Sequence, residues 1–134
     1  MPKTINQHLD SVYPALAMMA GMQLEIFTAI NNQRMTAAQV AKILEVKETK
    51  LRPLLYALVV AGLLEVDESL FFNTEESAEF LVRGKPRYIG GLHSTYSDLW
   101  ASTMRTADSI RAGEPKAKHD FSAMTQSELR SFVR

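Results

Sequence analysis

Three histidines, His8, His93 and His119, are the side chains most able to ligate a metal or move a proton. They lie far apart and lack the His-x₃-His or His–carboxylate spacing that a metal site uses. The chain has no cysteine, which removes disulfides, thiolate sites and cysteine nucleophiles together. A cysteine-free chain fits a reducing compartment, so a cytoplasmic location is expected. No Ser-His-Asp arrangement can be argued from the order of residues. Catalytic, cofactor-binding and metal-ligating residues are therefore all assigned as none.

Binding chemistry is better represented. His93, Tyr96, Trp100 and Met104 fall at i, i+3, i+7 and i+11, which is one face of a helix. Such a face can wall an aromatic pocket, with Trp100 stacking on a planar ligand. It can equally be a core face on which Tyr96 and Trp100 are anchors. A second group, Tyr13, Leu16, Met18 and Met19, combines an aromatic with soft, adaptable methionines. These suit either a ligand surface or a Met-rich interface between two copies.

Charge distinguishes further uses. Residues 34–53 carry Arg34, Lys42, Lys47, Lys50 and Arg52 against Glu45 and Glu48. Residues 65–79 carry Glu65, Asp67, Glu68, Glu75, Glu76 and Glu79 and no base. A DNA reader needs cations against phosphates on both segments, and the acidic one would be repelled. Over the whole chain 15 basic residues balance 15 acidic ones, so no global field recruits nucleic acid or an anionic membrane.

The elements that must position these groups follow from periodicity. The 134 residues, 46% hydrophobic and 22% charged, suit one globular domain. The most apolar stretch, Pro14 to Ile30, contains Gln23, Glu25 and Thr28 and is too short and too polar to span a bilayer. Residues 1–10 read as polar and frayed. A helix is expected over 11–30, with Pro14 in its first turn. Its apolar residues surround it rather than forming one stripe, so it needs cover on most sides. A second copy of the chain is the expected cover, through Leu16, Met19, Met22, Ile26 and Phe27; a central core helix is the competing reading.

Thr36 and Gln39 form a capping box opening a helix through Leu44. A turn at 45–47 and a helix over about 48–61 follow, with Pro53 placing the start near Lys50 or interrupting the first turn. Gly62 ends that helix in a left-handed conformation. Leu64 and Val66 alternate with Glu65 and Asp67 as a strand. A turn at Asp67-Glu68-Ser69 leads to a return strand through Leu70 and Phe72. Asn73 or Thr74 then caps a short helix over 75–82. A long helix is expected over 88–112, stopped by Gly113-Glu114-Pro115. A second capping box, Thr125 to Glu128, opens an amphipathic segment with Leu129, Phe132 and Val133.

Helix, turn, helix and hairpin together are the winged helix-turn-helix order. The fold class expected is mostly α: a winged helix-turn-helix with a two-stranded β-hairpin wing, an N-terminal dimerisation helix and a long C-terminal helix. Its divisions are 10–31, 36–73, 74–113 and a connection over 114–134.

The order of features resembles the N-terminal dimerisation domain of SAM-dependent small-molecule O-methyltransferases. The residues that carry the resemblance are Ala17 to Phe27, Leu58 to Leu64, Phe72 to Leu81, Trp100 and Asp108 to Pro115. The resemblance implies a homodimer in which Tyr13, Met18, His93, Tyr96, Trp100 and Met104 contribute to a small-molecule substrate pocket. It also implies that SAM and the usual catalytic histidine sit on a Rossmann-like domain outside these residues, since Gly90-Gly91 precedes a helix rather than following a strand. The chain is then expected to be an N-terminal fragment, inactive alone, from an enzyme that methylates an aromatic or polyketide-like hydroxyl. The alternative is a winged-helix DNA-binding regulator, and a third reading is a stand-alone dimeric ligand-binding scaffold. Neither a specific nucleic acid nor a membrane is expected as a partner.

Overall fold

The computed structural model describes residues 2–114, the side chains of Leu92 and His93 excepted. The expected connection beyond Glu114, with its capping box and His119, lies outside the described residues. The described residues divide after Gly90 into two compact units.

The first unit begins with α1 (Lys3–Asp10), where fraying was expected, and α2 (Val12–Leu24). Pro14 loosens the join between them, because it offers no N–H to the carbonyl of Asp10. The single helix expected over 11–30 is also broken, at Glu25, into α2 and α3 (Ile26–Ile30). Glu25 is left-handed, at φ 61° and ψ 37°, and its N–H caps α2 on the carbonyls of Gly21 and Met22. Its carboxylate is held by Arg83, whose Nε donates to Glu25 Oε1 at 2.8 Å and whose Nη2 reaches the same oxygen. The Arg83 N–H donates to Thr28 Oγ1 at 3.0 Å, just beyond the break.

The capping box at α4 (Ala37–Leu44) is as expected. The Gln39 N–H donates to Thr36 Oγ1 at 3.2 Å, and the Thr36 N–H donates to Gln39 Oε1 at 2.8 Å. α4 ends on Glu45, again left-handed at φ 58°. The Val46 N–H closes the turn on the Ala41 carbonyl at 3.0 Å. α5 runs Glu48–Val60 and contains Pro53 in its second turn. That is earlier than a start near Lys50; Thr49 and Pro53 are both exposed, where a carbonyl the proline cannot bond is least costly. At the far end Gly62 has φ 82°. The N–H groups of Gly62 and Leu63 bond the carbonyls of Val59 and Leu58 at 3.0 and 2.9 Å, the paired closure of a Schellman motif.

β1 (Leu64–Asp67) and β2 (Leu70–Asn73) form an antiparallel hairpin in the register Leu64↔Asn73, Glu65↔Phe72, Val66↔Phe71 and Asp67↔Leu70. This register corrects the expectation for the return strand. Opposed residues share a face, so Phe71, not Leu70 and Phe72, lies with Leu64 and Val66 toward the core. Phe71 is 1% exposed, meets Tyr56 edge-on at 5.2 Å between centroids, and pairs through its backbone with Met35. The turn places Glu68 and Ser69 at φ 50° and 65° without a glycine.

α6 (Glu75–Phe80) is capped by Thr74, whose Oγ1 accepts from the Ser77 N–H at 3.3 Å. Asn73 does a different job. Its Nδ2 donates to the carbonyls of Phe27 and Asn31 at 3.0 and 2.8 Å, binding the hairpin to the end of α3. The core gathers Ile26, Phe27, Ile30, Val40, Ala41, Leu51, Leu55, Leu58, Leu64, Phe71 and Val82.

The second unit holds α7 (Leu92–Thr103) and α8 (Thr106–Ala112), where one helix was expected over 88–112. The start is later because the Ile89 N–H bonds back to the Phe80 carbonyl at 2.9 Å and two glycines of low helix propensity follow. The break falls at Met104–Arg105, where hydroxyls compete for backbone acceptors. Thr103 Oγ1 donates to the Leu99 carbonyl at 2.7 Å and Thr106 Oγ1 to the Thr103 carbonyl at 2.6 Å.

Candidate functional site

The first candidate surface is on α1 and α2. Ile5 and Leu9 are each 60% exposed, and Val12, Tyr13 and Leu16 are also exposed. Positions 5, 9, 12 and 16 advance by four, three and four residues, which keeps them on one helical stripe. Contiguous exposed apolar surface of this kind is what an interface covers.

The interface residues expected from the sequence separate accordingly. Leu16 is exposed at 46%, and Met22 is half-buried against the core. Met19 is buried. Ile26 and Phe27 are 0% and 1% exposed within the chain's own core and have nothing left to present to a partner. The rotation at Glu25 turns them inward, a break with no glycine or proline to mark it. The stripe on α1 was missed because residues 1–10 read as polar.

Of the pocket candidates, Tyr13 is exposed and Met18 half-buried on α2. Tyr96, Trp100 and Met104 keep one register in the second unit, because the Met104 N–H still bonds the Trp100 carbonyl at 3.0 Å. Tyr96 and Met104 are exposed and Trp100 is half-buried, so this face is available for contact. The His93 side chain is outside the described ones.

The helix-turn-helix surface has a different character. Arg52 is paired with Glu48 on the same helix. Arg34 lies 3.7 Å from Asp67 and stacks 3.8 Å over the Phe72 ring. Two of the five cations that a DNA reader would turn to phosphate are thus engaged by this chain's own acids. Along the open side of α5 lie Pro53, Tyr56, Ala57 and Val60, all exposed and mostly apolar. Beside it is a groove of about 340 Å³ lined by Thr36, Glu48, Arg52, Tyr56, Ser69 and Phe71, among others. Among the described residues no group of three or more His, Asp or Glu could hold a metal. No described helix is long and apolar enough to cross a membrane.

A mostly helical unit with a two-stranded hairpin and an exposed apolar N-terminal stripe is the architecture of a dimerisation module. The chain belongs to the O-methyltransferase dimerisation domain family, whose model matches residues 6–83. It is 28% identical over 119 residues to the tetracenomycin polyketide synthesis 8-O-methyl transferase TcmO of Streptomyces glaucescens, covering 84% of this chain and 34% of that protein. Its fold is shared with the N,N-8-amino-8-demethyl-D-riboflavin dimethyltransferase RosA of Streptomyces davawensis. The TM-score is 0.81 at 24% identity, over 98% of this chain and 42% of that one. Human N-acetylserotonin methyltransferase, solved with SAM, gives a TM-score of 0.76 at 19% identity over 83% of this chain and 34% of that one. The chain therefore spans about a third of the length of the curated relative it matches.

Proposed function

We propose that this chain is the homodimerising, substrate-pocket portion of a SAM-dependent O-methyltransferase acting on a small aromatic or polyketide-like hydroxyl compound in the cytoplasm. The observation that carries the reading is the family match across residues 6–83 together with the apolar stripe on α1 and α2. The tetracenomycin polyketide synthesis in the name of the Streptomyces glaucescens relative supports the acceptor class.

The described residues do not fit SAM. Their sheet is a two-stranded antiparallel hairpin closed by Glu68 and Ser69. Gly90 and Gly91 lead into α7 without a preceding strand, so no strand–glycine loop–helix cradle forms. The chain's own contribution is to pair two copies; in the second unit Tyr96, Trp100 and Met104 offer apolar contact for a planar acceptor, and in the first Tyr13 and Met18 are candidates of the same kind.

Sedimentation velocity at micromolar concentration tests the central part. A dimer of twice the 15.0 kDa monomer mass is expected; a monomer throughout removes the reading. Calorimetric titration with SAM should give no saturable heat. The regulator reading would return if selection from random duplexes recovered one site bound at nanomolar affinity in physiological salt. The pairing of Arg34 and Arg52 with acids, and the apolar face of α5, weigh against that outcome.

A further inference from the structure

Among the described residues, α1 finds no cover beyond its contact with α2, the next helix in the chain. None of its residues is buried, it has no side-chain N-cap, and no acid stands in its first turn. At 8 residues it is shorter than the roughly 12–15 at which an isolated helix is even marginal in water. Its local support is one bond from Asn6 Nδ2 to Asp10 Oδ2 at 3.2 Å and one from Ser11 Oγ to the His8 carbonyl at 2.8 Å. Yet its register is not arbitrary. Ser11 is itself right-handed, with its N–H on the Gln7 carbonyl at 3.0 Å, so α1 runs on toward α2. Ile5 and Leu9 thereby line up with Val12 and Leu16.

We propose that α1 is an arm that is helical only while laid on a second copy of this chain. The proposal rests on the dimer reading above and adds to it a coupling between assembly and folding. A second copy is the occupant because the matched dimerisation segment begins at residue 6, inside α1, and continues through α2 without interruption. The stripe also complements itself. A two-fold axis running between antiparallel copies sets Ile5 against the partner's Leu16 and Leu9 against the partner's Val12. Lys3 and Asp10 give the arm one charge of each sign, so two arms meet without net repulsion.

Hydrogen exchange on the whole chain, above and below its dimer dissociation constant, tests the coupling. Amides of residues 6–10 should be protected about tenfold or more in the dimer and lose that protection on dilution, while Leu55 and Leu58 stay protected throughout. Leu9→Pro should weaken the dimer about tenfold or more with the core's thermal transition unchanged, since α1 contributes nothing to that core. Leu9→Ser with Ile5→Ser should do the same without the backbone change. A dimer whose α1 amides exchange freely, or whose affinity is unmoved by these variants, overturns the arm and leaves the dimer reading intact. Equal protection of α1 in the monomer overturns the coupling. A monomer at every concentration overturns both.

Discussion

Leu16→Ala separates the interface from the fold. Leu16 is 46% exposed in the single chain. Full burial of a leucine stabilises by about 1.5–3 kcal/mol, so covering the remaining half is worth about 1 kcal/mol. A two-fold interface uses the same patch on both copies, which doubles the loss to about 2 kcal/mol per dimer. At 1.4 kcal/mol per decade, the dissociation constant should rise about 30-fold. The unfolding free energy of the monomer should change by about 1 kcal/mol or less, since Leu16 is half-covered and is not among the side chains packed against the core. Leu16→Glu should act more strongly, because it adds an unpaired carboxylate to an apolar contact. Equilibrium sedimentation over a concentration series reads the constant, and chemical denaturation at low concentration reads the fold. A dissociation constant within twofold of the parent, or a loss that appears wholly in monomer stability, would refute the reasoning.

Other substitutions test the packing. At Gly21 an added Cβ would meet Phe27 Cε2 at 3.1 Å and Leu58 Cδ1 at 3.2 Å. Gly21→Val should therefore destabilise by about 3 kcal/mol, whereas in Gly21→Ala a gain of about 1 kcal/mol in helix propensity offsets much of the crowding. Thermal unfolding of the two variants should separate them clearly, and equal midpoints would show that α2 does not approach Phe27 so closely. Ser69→Gly should stabilise by about 1 kcal/mol by relieving a left-handed serine in the hairpin turn, read as a rise in denaturant midpoint; a fall would contradict the assigned turn. Thr36→Ala should cost about 1 kcal/mol through loss of the capping box, and an unchanged midpoint would mean that α4 is held by packing alone.

What the sequence made legible is what side-chain chemistry marks locally. The capping box at Thr36 and Gln39, the left-handed Gly62 and the Leu64/Val66 alternation all carry their signals within a few residues, and each stands where it was expected. The misread elements are those decided by distant partners. Glu25 breaks the first helix although nothing nearby disfavours helix, and its holding group is Arg83, 58 residues on. Phe71 rather than Phe72 faces the core because Met35 and Val66 set the register. The break at Met104 depends on hydroxyl bonding from Thr103 and Thr106, which composition does not show. For the site, aromatic and methionine content singled out faces of α2 and α7 that the structure leaves at least partly exposed, apart from the buried Met19. It could not say that Ile26 and Phe27 turn inward while Leu16 stays out.

That division at Glu25 bears on how the domain can vary. A left-handed glutamate costs on the order of 1 kcal/mol relative to glycine, and its bond to Arg83, exposed on both sides, offsets little by itself. The conformation is held because α3 must bury Ile26, Phe27 and Ile30 while α2 keeps a different face outward. Truncating a buried phenylalanine such as Phe27 costs about 3–5 kcal/mol, a large part of a small domain's whole stability. Truncating Leu16, 46% exposed, costs the folded monomer about 1 kcal/mol or less. Substitutions over 5–16 can therefore retune how strongly two copies pair without endangering the fold, whereas the same substitutions over 26–30 would remove the fold before pairing could be measured. One apolar stretch that reads as uniform thus contains two segments under different physical constraints, and the residue between them carries the backbone geometry that keeps them apart.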